Sequence, residues 1–373
     1  MSVLLNDTPM NKEYLIKLIC KLPPKLKRRL MLRLEGNNVW IHGGGTFGIA
    51  LKKAIDRFVP SEKQNDQVFV EQIVDDIKLC YVKYDLLPAE YFYFGFSEKD
   101  WTQRDSYLTD AEEDYILVKR IGYDKYLNDL SNKYHFYELA KPFFHRSILL
   151  FDEHTEKEGC QEFCLKVKRL FIKPLAGSEG DGSFTFDVNA INDASELYSK
   201  LLSSKKKWMI EERISQNEEL ARWNASSVNT VRLPTFLNTD GFFVLAPIFR
   251  TGRAGKAIDN TSAGGVFALI DPKTGRICSN GYDIYNNVYE VHPDSGLAFM
   301  GYQIPSWKEL LQTAETAHRT FPTHLYIAWD FSLTDMGWEL IEGNWGRFRG
   351  AQIAGGEGLK EPFMNHLKRK PIL

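Results

Sequence analysis

Apolar residues recur every three to four positions through residues 10–35, which is the spacing of a helix that buries one face. Pro23 and Pro24 interrupt this pattern and predict that it forms two helices rather than one. A glycine-rich stretch, His42 to Gly48, follows and is interpreted as a plain loop before a helix over 49–58. Similar apolar spacing predicts further helices over 66–84, 110–133, 193–203 and 306–319.

Beyond residue 165 the pattern changes, because short runs rich in β-branched and aromatic residues alternate with turn residues. These runs predict strands over Leu170 to Pro174, Trp208 to Arg213, Val228 to Phe236, Phe242 to Arg250, Gly265 to Ile270 and Tyr326 to Ile341. The mixture predicts an α+β fold with much antiparallel sheet.

Composition excludes several classes of protein but does not identify a function. The chain has 373 residues, of which 43% are hydrophobic and 26% charged, as expected of a globular protein. Its net charge of −2 disfavours a nucleic-acid binder. No apolar run approaches the ~18 residues of a membrane span, and we expect no transmembrane segment. Five scattered cysteines and the lack of a signal-peptide pattern indicate a cytoplasmic protein without a disulfide scaffold.

One predicted helix is basic, with Lys25, Lys27, Arg28, Arg29 and Arg33 among its leucines. A basic amphipathic helix can lie on an anionic membrane surface, which makes residues 25–33 a candidate membrane contact. The alternative is an ordinary solvated surface helix, and we favour that alternative.

A predicted hairpin near the C-terminus carries candidate metal ligands. Strands over 325–333 and 338–343, joined by a three-residue loop at Asp335 to Gly337, place Asp330 directly opposite Glu342. Asn344 lies on the same face as Glu342, since side chains two positions apart share a face. Such an oxygen-only cluster suits Mg²⁺. A solvent-facing acidic hairpin is the equal alternative, because a one-residue slip would turn Asp330 away.

Two further patterns suggest a phosphate site. Lys173 ends a predicted strand and is followed by a glycine-rich loop over 176–183, whose backbone N–H groups could contact phosphates. Arg232 shares a strand face with Val228 and Thr230, and an arginine turned inward needs an anion. Arg250 ends the next run, and Glu211 and Glu212 lie together on another predicted strand. Each pattern is weak alone, since a hairpin turn or a surface ion pair would look the same.

Taken in order, these features resemble the ATP-grasp superfamily, and its sugar-transfer-associated branch most closely. The resemblance covers roughly residues 120–355. It is carried by Asn132-Lys133, Lys173-Pro174 with the glycine loop, Glu211 to Ile214, Ser227 to Arg232, Asp259-Asn260 with Gly264-Gly265, and Trp329-Asp330 with Ile341 to Asn344.

The resemblance implies two α+β subdomains that clasp ATP over residues 121–355. A mainly helical region over 1–120 would precede them, and a C-terminal tail over 356–373 would follow. It implies ATP and Mg²⁺ as cofactors, with the metal held by Asp330, Glu342 and Asn344. Arg232 would meet the γ-phosphate, and Arg250 and Asn260 would line the acceptor side. The remaining nucleotide contacts would be Lys133, Lys173, Gly177, Ser178, Gly180, Gly182, Glu211, Ile214 and either Glu212 or Glu219 for the ribose.

The activity that the resemblance implies is ATP-dependent ligation of a carboxylate to an amine through an acyl phosphate. The substrates would be small molecules, such as an amino acid and a sugar acid, in cell-surface polysaccharide biosynthesis. Two alternatives remain at this point. A small-molecule kinase would use the same ATP residues, and a non-catalytic protein could retain the fold, although clustered carboxylates argue against the latter.

Overall fold

The computed structural model describes residues 15, 18, 19, 21–41, 45–119, 129–175, 182–253, 255 and 264–369. The chain divides into two compact units, Met1–Tyr115 and Ile116–Leu373. The division lies five residues before the boundary expected at residue 120.

The first unit is helical, as the apolar spacing predicts. Pro24 occupies the first turn of α1, where its missing N–H costs no hydrogen bond. The side chain of Thr46 caps α2, and that of Asp66 caps α4. The α-helices of this part of the chain are α1 Pro24–Glu35, α2 Phe47–Phe58, α3 Ser61–Gln64, α4 Gln67–Tyr84, α5 Pro88–Tyr93, α6 Trp101–Asp105 and α7 Asp110–Leu117. The helix predicted over 110–133 ends at Leu117, and residues 120–128 lie outside the described residues.

The second unit contains a small antiparallel sheet whose strands follow the order β1-β4-β2-β3. Helices α9 (Lys157–Val167) and α10 (Ile191–Ser203) bury Cys160, Leu197 and other apolar side chains with residues of this sheet. Its strands are β1 Ile148–Phe151, β2 Arg169–Pro174, β3 Phe184–Asp187 and β4 Trp208–Glu212.

A larger antiparallel sheet forms the rest of the second unit, in the order β10-β9-β8-β7-β5-β11-β12, with β6 paired to β5. Side chains along a strand alternate between the two faces of the sheet. Trp329, Phe331 and Leu333 therefore enter the core, whereas Asp330 lies on the opposite face. The strands are β5 Thr230–Asn238, β6 Gly241–Val244, β7 Ile248–Thr251, β8 Val266–Leu269, β9 Gly281–Tyr282, β10 Val288–Tyr289, β11 Tyr326–Thr334 and β12 Gly337–Asn344.

The second unit also contains helices that precede, connect or follow the strands of the two sheets. Phe363, within the region expected to be a tail, is fully buried with its ring 5.4 Å from that of Phe348. Among the described residues, no helix combines the length and the apolar character that crossing a membrane requires. The helices are α8 Lys133–Ala140, α11 Glu218–Ala221, α12 Trp307–Arg319, α13 Arg349–Gly355 and α14 Lys360–Leu367.

One predicted strand is wrong. The run Phe242 to Arg250 forms two strands, β6 and β7, instead of one. Ala246 between them has a φ of 47°, and Pro247 has no N–H to donate to a neighbouring strand. Both strands nevertheless pair with β5, one beyond the other.

The loop predicted for the C-terminal hairpin is also wrong, although the facing pair is correct. Thr334 pairs with Gly337, so the loop contains two residues, Asp335 and Met336, rather than three. An irregularity between Asp330 and Phe331 then changes the register, and Asp330 faces Glu342 as expected. The extra residue in β12 is Ile341, since Phe331 pairs with Leu340.

Candidate functional site

A cavity of about 780 Å³ in the second unit is lined by residues from both sheets. This volume falls within the ~300–1,000 Å³ range of small-molecule sites. Most of the described residues predicted from the sequence are brought together here: Lys133, Lys173, Glu211, Glu212, Ile214, Arg250, Asp330, Glu342 and Asn344.

Asp330 is contributed by the large sheet and is held by two arginines. Arg232, its direct partner on β5, donates from Nε to Oδ1 at 2.9 Å and from Nη2 to Oδ2 at 2.7 Å. Nη2 of Arg250 lies 3.2 Å from the same Oδ2. Burial alone would raise the pKa of Asp330, but these two positive charges outweigh it and lower that pKa to about 2. The carboxyl group is therefore ionised at neutral pH.

Asn344 joins Asp330 to Glu342. Its Nδ2 donates to Asp330 Oδ2 at 3.1 Å and to Glu342 Oε1 at 3.0 Å, so two carboxylates converge on one amide nitrogen. The predicted metal-ligand set is thus assembled on one face of the hairpin.

This donor set fits a hard cation such as Mg²⁺. Rotation of the Asn344 side-chain amide would exchange its nitrogen for its oxygen, which would give three oxygen donors directed at the position between the carboxylates. Across the described part of the chain, no group of three or more His, Cys, Asp or Glu side chains could hold a metal ion. A cation at this position would accordingly depend on two carboxylates, one amide and ligands from outside the protein.

Two lysine ammonium groups meet at the end of β2, in the small sheet. Lys173 forms an ion pair with the buried carboxylate of Glu211 on the adjacent strand. Lys133 Nζ donates to the carbonyl oxygens of Pro174 and Leu175 at 3.2 and 3.4 Å. Burial, and then the neighbouring charge of Lys173, lower the pKa of Lys133. Two ammonium groups are therefore presented at one end of the cavity, where an anion would relieve their repulsion.

Local features of the chain explain the position of Lys133. Asn132 caps helix α8 by accepting from the backbone N–H of His135 at 3.1 Å, which makes Lys133 the first helical residue. Gly343 permits β12 and this helix to approach closely, because a Cβ there would lie only 2.6 Å from the Phe136 ring. The helix that begins at Lys133 therefore packs directly against the strand that carries Glu342 and Asn344.

Sequence reasoning missed Arg146, which connects the two sheets. Its Nε donates to Glu211 Oε2 at 2.8 Å, and its Nη1 donates to Glu339 Oε1 on β12 at 2.5 Å. Burial alone would raise the pKa of Glu211, but Arg146 and Lys173 together keep it below its usual value. Glu339, Arg146, Glu211 and Lys173 thus form a continuous buried chain of alternating charge. Arg146 lies alone before β1, and no pattern around it in the sequence indicates which carboxylates it contacts.

Gln216 is a second residue that the sequence did not reveal. Its Nε2 donates to the carbonyl oxygens of Asn224 and Ser227, both at 2.8 Å, and its Oε1 accepts from the backbone and side-chain nitrogens of Asn229. These bonds hold the segment over 216–229 as one wall of the cavity, which Gln216 itself lines.

The other predicted residues are placed as follows. Arg232 is not among the described residues that line the cavity, and its guanidinium lies on Asp330. Among the described residues, Glu212 lines the cavity and Glu219 does not; Glu219 is exposed on α11. Gly182 has a φ of 74°, which favours glycine. Gly177, Ser178, Gly180 and Asn260 lie outside the described residues.

Comparison with solved structures finds ATP-grasp ligases. ATP-grasp ligase PsnB, complexed with precursor peptide PsnA2 and AMPPNP, is 15% identical with a TM-score of 0.38, over 65% of this chain and 59% of that one. D-alanine–D-alanine ligase from Bacillus anthracis is 10% identical with a TM-score of 0.39, over 64% and 66%. The enzyme from Coxiella burnetii is 10% identical with a TM-score of 0.40, over 65% and 57%. The matched region spans about three fifths of the PsnB chain.

A comparison with curated protein sequences finds no match. The decisive similarity is to a protein family. Residues 116–368, more than half of the chain and nearly all of its second compact unit, match the family described as sugar-transfer associated ATP-grasp. The match extends the resemblance seen in the motifs to the whole sheet-containing unit. The chain belongs to the sugar-transfer associated ATP-grasp family and has the ATP-grasp fold.

Proposed function

We propose that this chain is an ATP- and Mg²⁺-dependent ligase that joins a carboxylate to an amine. The observation that supports the proposal is the pair of charged walls in one cavity. The ammonium groups of Lys133 and Lys173 lie at the end of β2, and Asp330, Glu342 and Asn344 lie on the hairpin of β11 and β12. A nucleotide triphosphate needs cations along its phosphates and metal ligands near the transferred group, and the two walls supply both.

In the proposed reaction, an oxygen of the substrate carboxylate attacks the γ-phosphorus of ATP, and ADP leaves. The resulting acyl phosphate is attacked by the amine, which then loses a proton as phosphate departs and the amide forms. No side chain of the protein has to act as a nucleophile. Its contribution is to position the substrates, to balance charge and to exclude water.

Each wall has a part in that reaction. Lys133 and Lys173 would bind phosphate oxygens, and Arg232 and Arg250 would offset the charge that develops at the γ-phosphate and the acceptor. Asp330, Glu342 and Asn344 would hold Mg²⁺, which polarises the phosphoryl oxygens when bound. Asp330 also fixes both arginines, so it would orient the positive groups as well as bind the metal.

The remaining nucleotide contacts are proposed from their place around the cavity and from the family pattern. The backbone of Glu211 to Ile214 would receive adenine, and Glu212 would bind the ribose hydroxyls, since it lines the cavity and Glu219 does not. The glycine loop with Gly177, Ser178, Gly180 and Gly182 would cover the phosphates. Asn260 would join Arg250 on the acceptor side.

For the substrates, we propose an amino acid as the amine and a sugar acid as the carboxylate, in the assembly of a cell-surface polysaccharide. The name of the family supports this choice. PsnB was solved with a precursor peptide, so a peptide carboxylate belongs in the same substrate screen.

Phosphorus NMR tests the proposal directly. The protein is incubated with Mg-ATP and a pool of amino acids and sugar acids, and the products are read from their ³¹P resonances. ADP and free phosphate that appear only when two substrates are present would support the ligase. ADP with a new phosphoester or phosphoramidate resonance would instead identify a kinase.

Two variants test whether turnover depends on the carboxylates of the C-terminal hairpin. Glu342→Gln should abolish Mg²⁺-dependent turnover, because it removes one of two carboxylates that a metal could use. Glu290→Gln removes the same charge from an exposed position and should leave turnover unchanged. Equal activity of the two variants would exclude the hairpin as the metal site.

A further inference from the structure

Helix α1 in the first compact unit carries two parallel stripes of side chains. Lys25, Arg29 and Arg33 recur every four residues, and each is exposed. Leu26 and Leu34 lie beside them, 44% and 41% exposed. Positions four apart follow one another along a helix at intervals of about 6 Å, so the three cations form a row. Leu26 directly follows Lys25 and Leu34 directly follows Arg33, so the two leucines, eight positions apart, lie beside that row and are called the leucine row here.

The opposite face of α1 is fixed to the rest of the unit. Arg28 Nη1 donates to Asp85 Oδ2 at 3.0 Å, and its Nε and Nη2 donate to the carbonyl oxygen of Val82 at 3.4 and 3.3 Å. Because Arg28 is turned toward α4, the two stripes are held outward. The exposure of the leucines therefore follows from how the helix is anchored.

The outward cations have no carboxylate within ion-pair distance in the described part of the chain, in contrast with Arg28. Glu35 is the one acidic residue in the sequence of α1, at its last position. With a net charge of −2 for the whole chain, this positive charge is local to one helix face. Such a concentration is typical of a surface that meets an anionic partner.

We propose that this face of α1 docks on an anionic lipid surface. Cations alone would suit any polyanion, but the adjacent leucine row distinguishes the partner. A bilayer offers anionic headgroups to the lysine and arginine row and an apolar layer just below them to the leucines. The α1 surface thus matches both layers of one partner. This inference does not depend on the proposed reaction, because it concerns the other compact unit.

The first experiment measures binding of the full chain to vesicles. Phosphatidylcholine vesicles that contain phosphatidylserine should bind the wild-type protein, and pure phosphatidylcholine vesicles should bind it far more weakly. In a variant with Lys25→Gln, Arg29→Gln and Arg33→Gln, affinity should fall by about 100-fold, from a general contribution near 1 kcal/mol for each basic residue at such a surface. Glutamine retains helix propensity, and circular dichroism checks that the helix content is unchanged.

A charge-matched control removes three exposed lysines from the second unit: Lys166→Gln, Lys206→Gln and Lys308→Gln. This control has the same net charge as the α1 variant and should retain wild-type vesicle affinity. Equal losses in both variants would mean that net charge alone drives adsorption, and the proposal would be rejected.

The leucine row provides the decisive second test. Leu26→Gln with Leu34→Gln leaves every charge in place and should weaken vesicle binding by at least tenfold while leaving heparin binding unchanged. If this variant binds vesicles as the wild type does, the face is a site for soluble polyanions and not for a membrane. Failure of the wild type to bind anionic vesicles would also overturn the proposal.

Discussion

At the scale of single residues, the lysine pair shows how close charges adjust one another. Lys133 and Lys173 both reach the end of β2, and burial together with the charge of Lys173 lowers the pKa of Lys133. A lysine attracts phosphate only while it is protonated. ATP affinity should therefore decline as pH rises through the pKa of Lys133, which lies below the usual 10.5.

Replacing Lys173 tests whether its charge lowers the pKa of Lys133. In Lys173→Gln the repulsive charge is absent, so the pKa of Lys133 should rise and the alkaline loss of ATP affinity should begin at higher pH. Titration of a fluorescent ATP analogue across alkaline pH would measure the midpoint in both proteins. An unchanged midpoint would assign the loss to a different group.

Removal of Arg146 should cost much of the stability of the second unit. Arg146→Gln would leave Glu211 and Glu339 as buried carboxylates without their shared cation, and breaking such a buried pair typically costs about 3–5 kcal/mol. Arg222→Gln removes an arginine from an exposed pair with Glu219, which is typically worth about 0–1 kcal/mol. Urea unfolding of both variants compares the losses, and similar values would contradict a structural role for the buried chain.

Residues with a distinctive neighbourhood in the sequence could be predicted, and residues defined by distant partners could not. Asp330, Glu342 and Asn344 lie on one hairpin. The assumed register brought them together because its extra loop residue offset the extra residue, Ile341, in β12. Arg146 acts through Glu211 and Glu339, which are 65 and 193 positions away. No local pattern reports contacts at that separation.

At the scale of elements, the pairing register of the C-terminal hairpin changes part-way along its two strands. Trp338 and Leu340 must face the core, whereas Glu342 and Asn344 face the cavity. All four positions are even-numbered, and a regular strand would put them on one face. The extra residue, Ile341, changes the alternation between the two pairs. The sequence shows two apolar and two polar residues that need opposite faces at positions of one regular strand face. This pattern would have predicted the irregularity, whereas the assumption of one constant register did not.

A deletion and an insertion in β12 test the role of Ile341. Deletion of Ile341 should restore a regular strand with Asp330 still opposite Glu342, and ATP affinity should stay within tenfold of wild type. Insertion of one alanine after Ile341 should turn Glu342 and Asn344 toward the core and abolish ATP binding. Calorimetric titration measures both, and a tolerant insertion would show that the facing pair does not define the site.

At the scale of the whole molecule, the described lining of the site lies within the second compact unit. The family match begins at residue 116, where that unit begins, and every described residue that lines the cavity follows it. The resemblance to the ATP-grasp superfamily implied a mainly helical region followed by a catalytic region with two subdomains. No low-complexity linker marks the boundary in the sequence, so its expected position at residue 120 depends on where the family motifs begin.

Two compact units should unfold in separable transitions. A saturating concentration of Mg-ATP, at 100 times its dissociation constant, stabilises the protein that binds it by about 2.7 kcal/mol. We expect calorimetry to show two transitions, of which only the one from residues 116–373 moves upward with nucleotide. A shift of both transitions would mean that the two units unfold together.

The charged lining of the cavity also bears on how fast a nucleotide arrives. Its described residues include five cationic side chains and four carboxylates, so the paired charges leave an excess of only one. A surface with so little net charge projects a weak field into solvent. Stopped-flow measurements should therefore find an association rate for Mg-ATP that changes little between low and high salt. The nucleotide would be selected by contacts made after it enters, rather than by attraction from a distance.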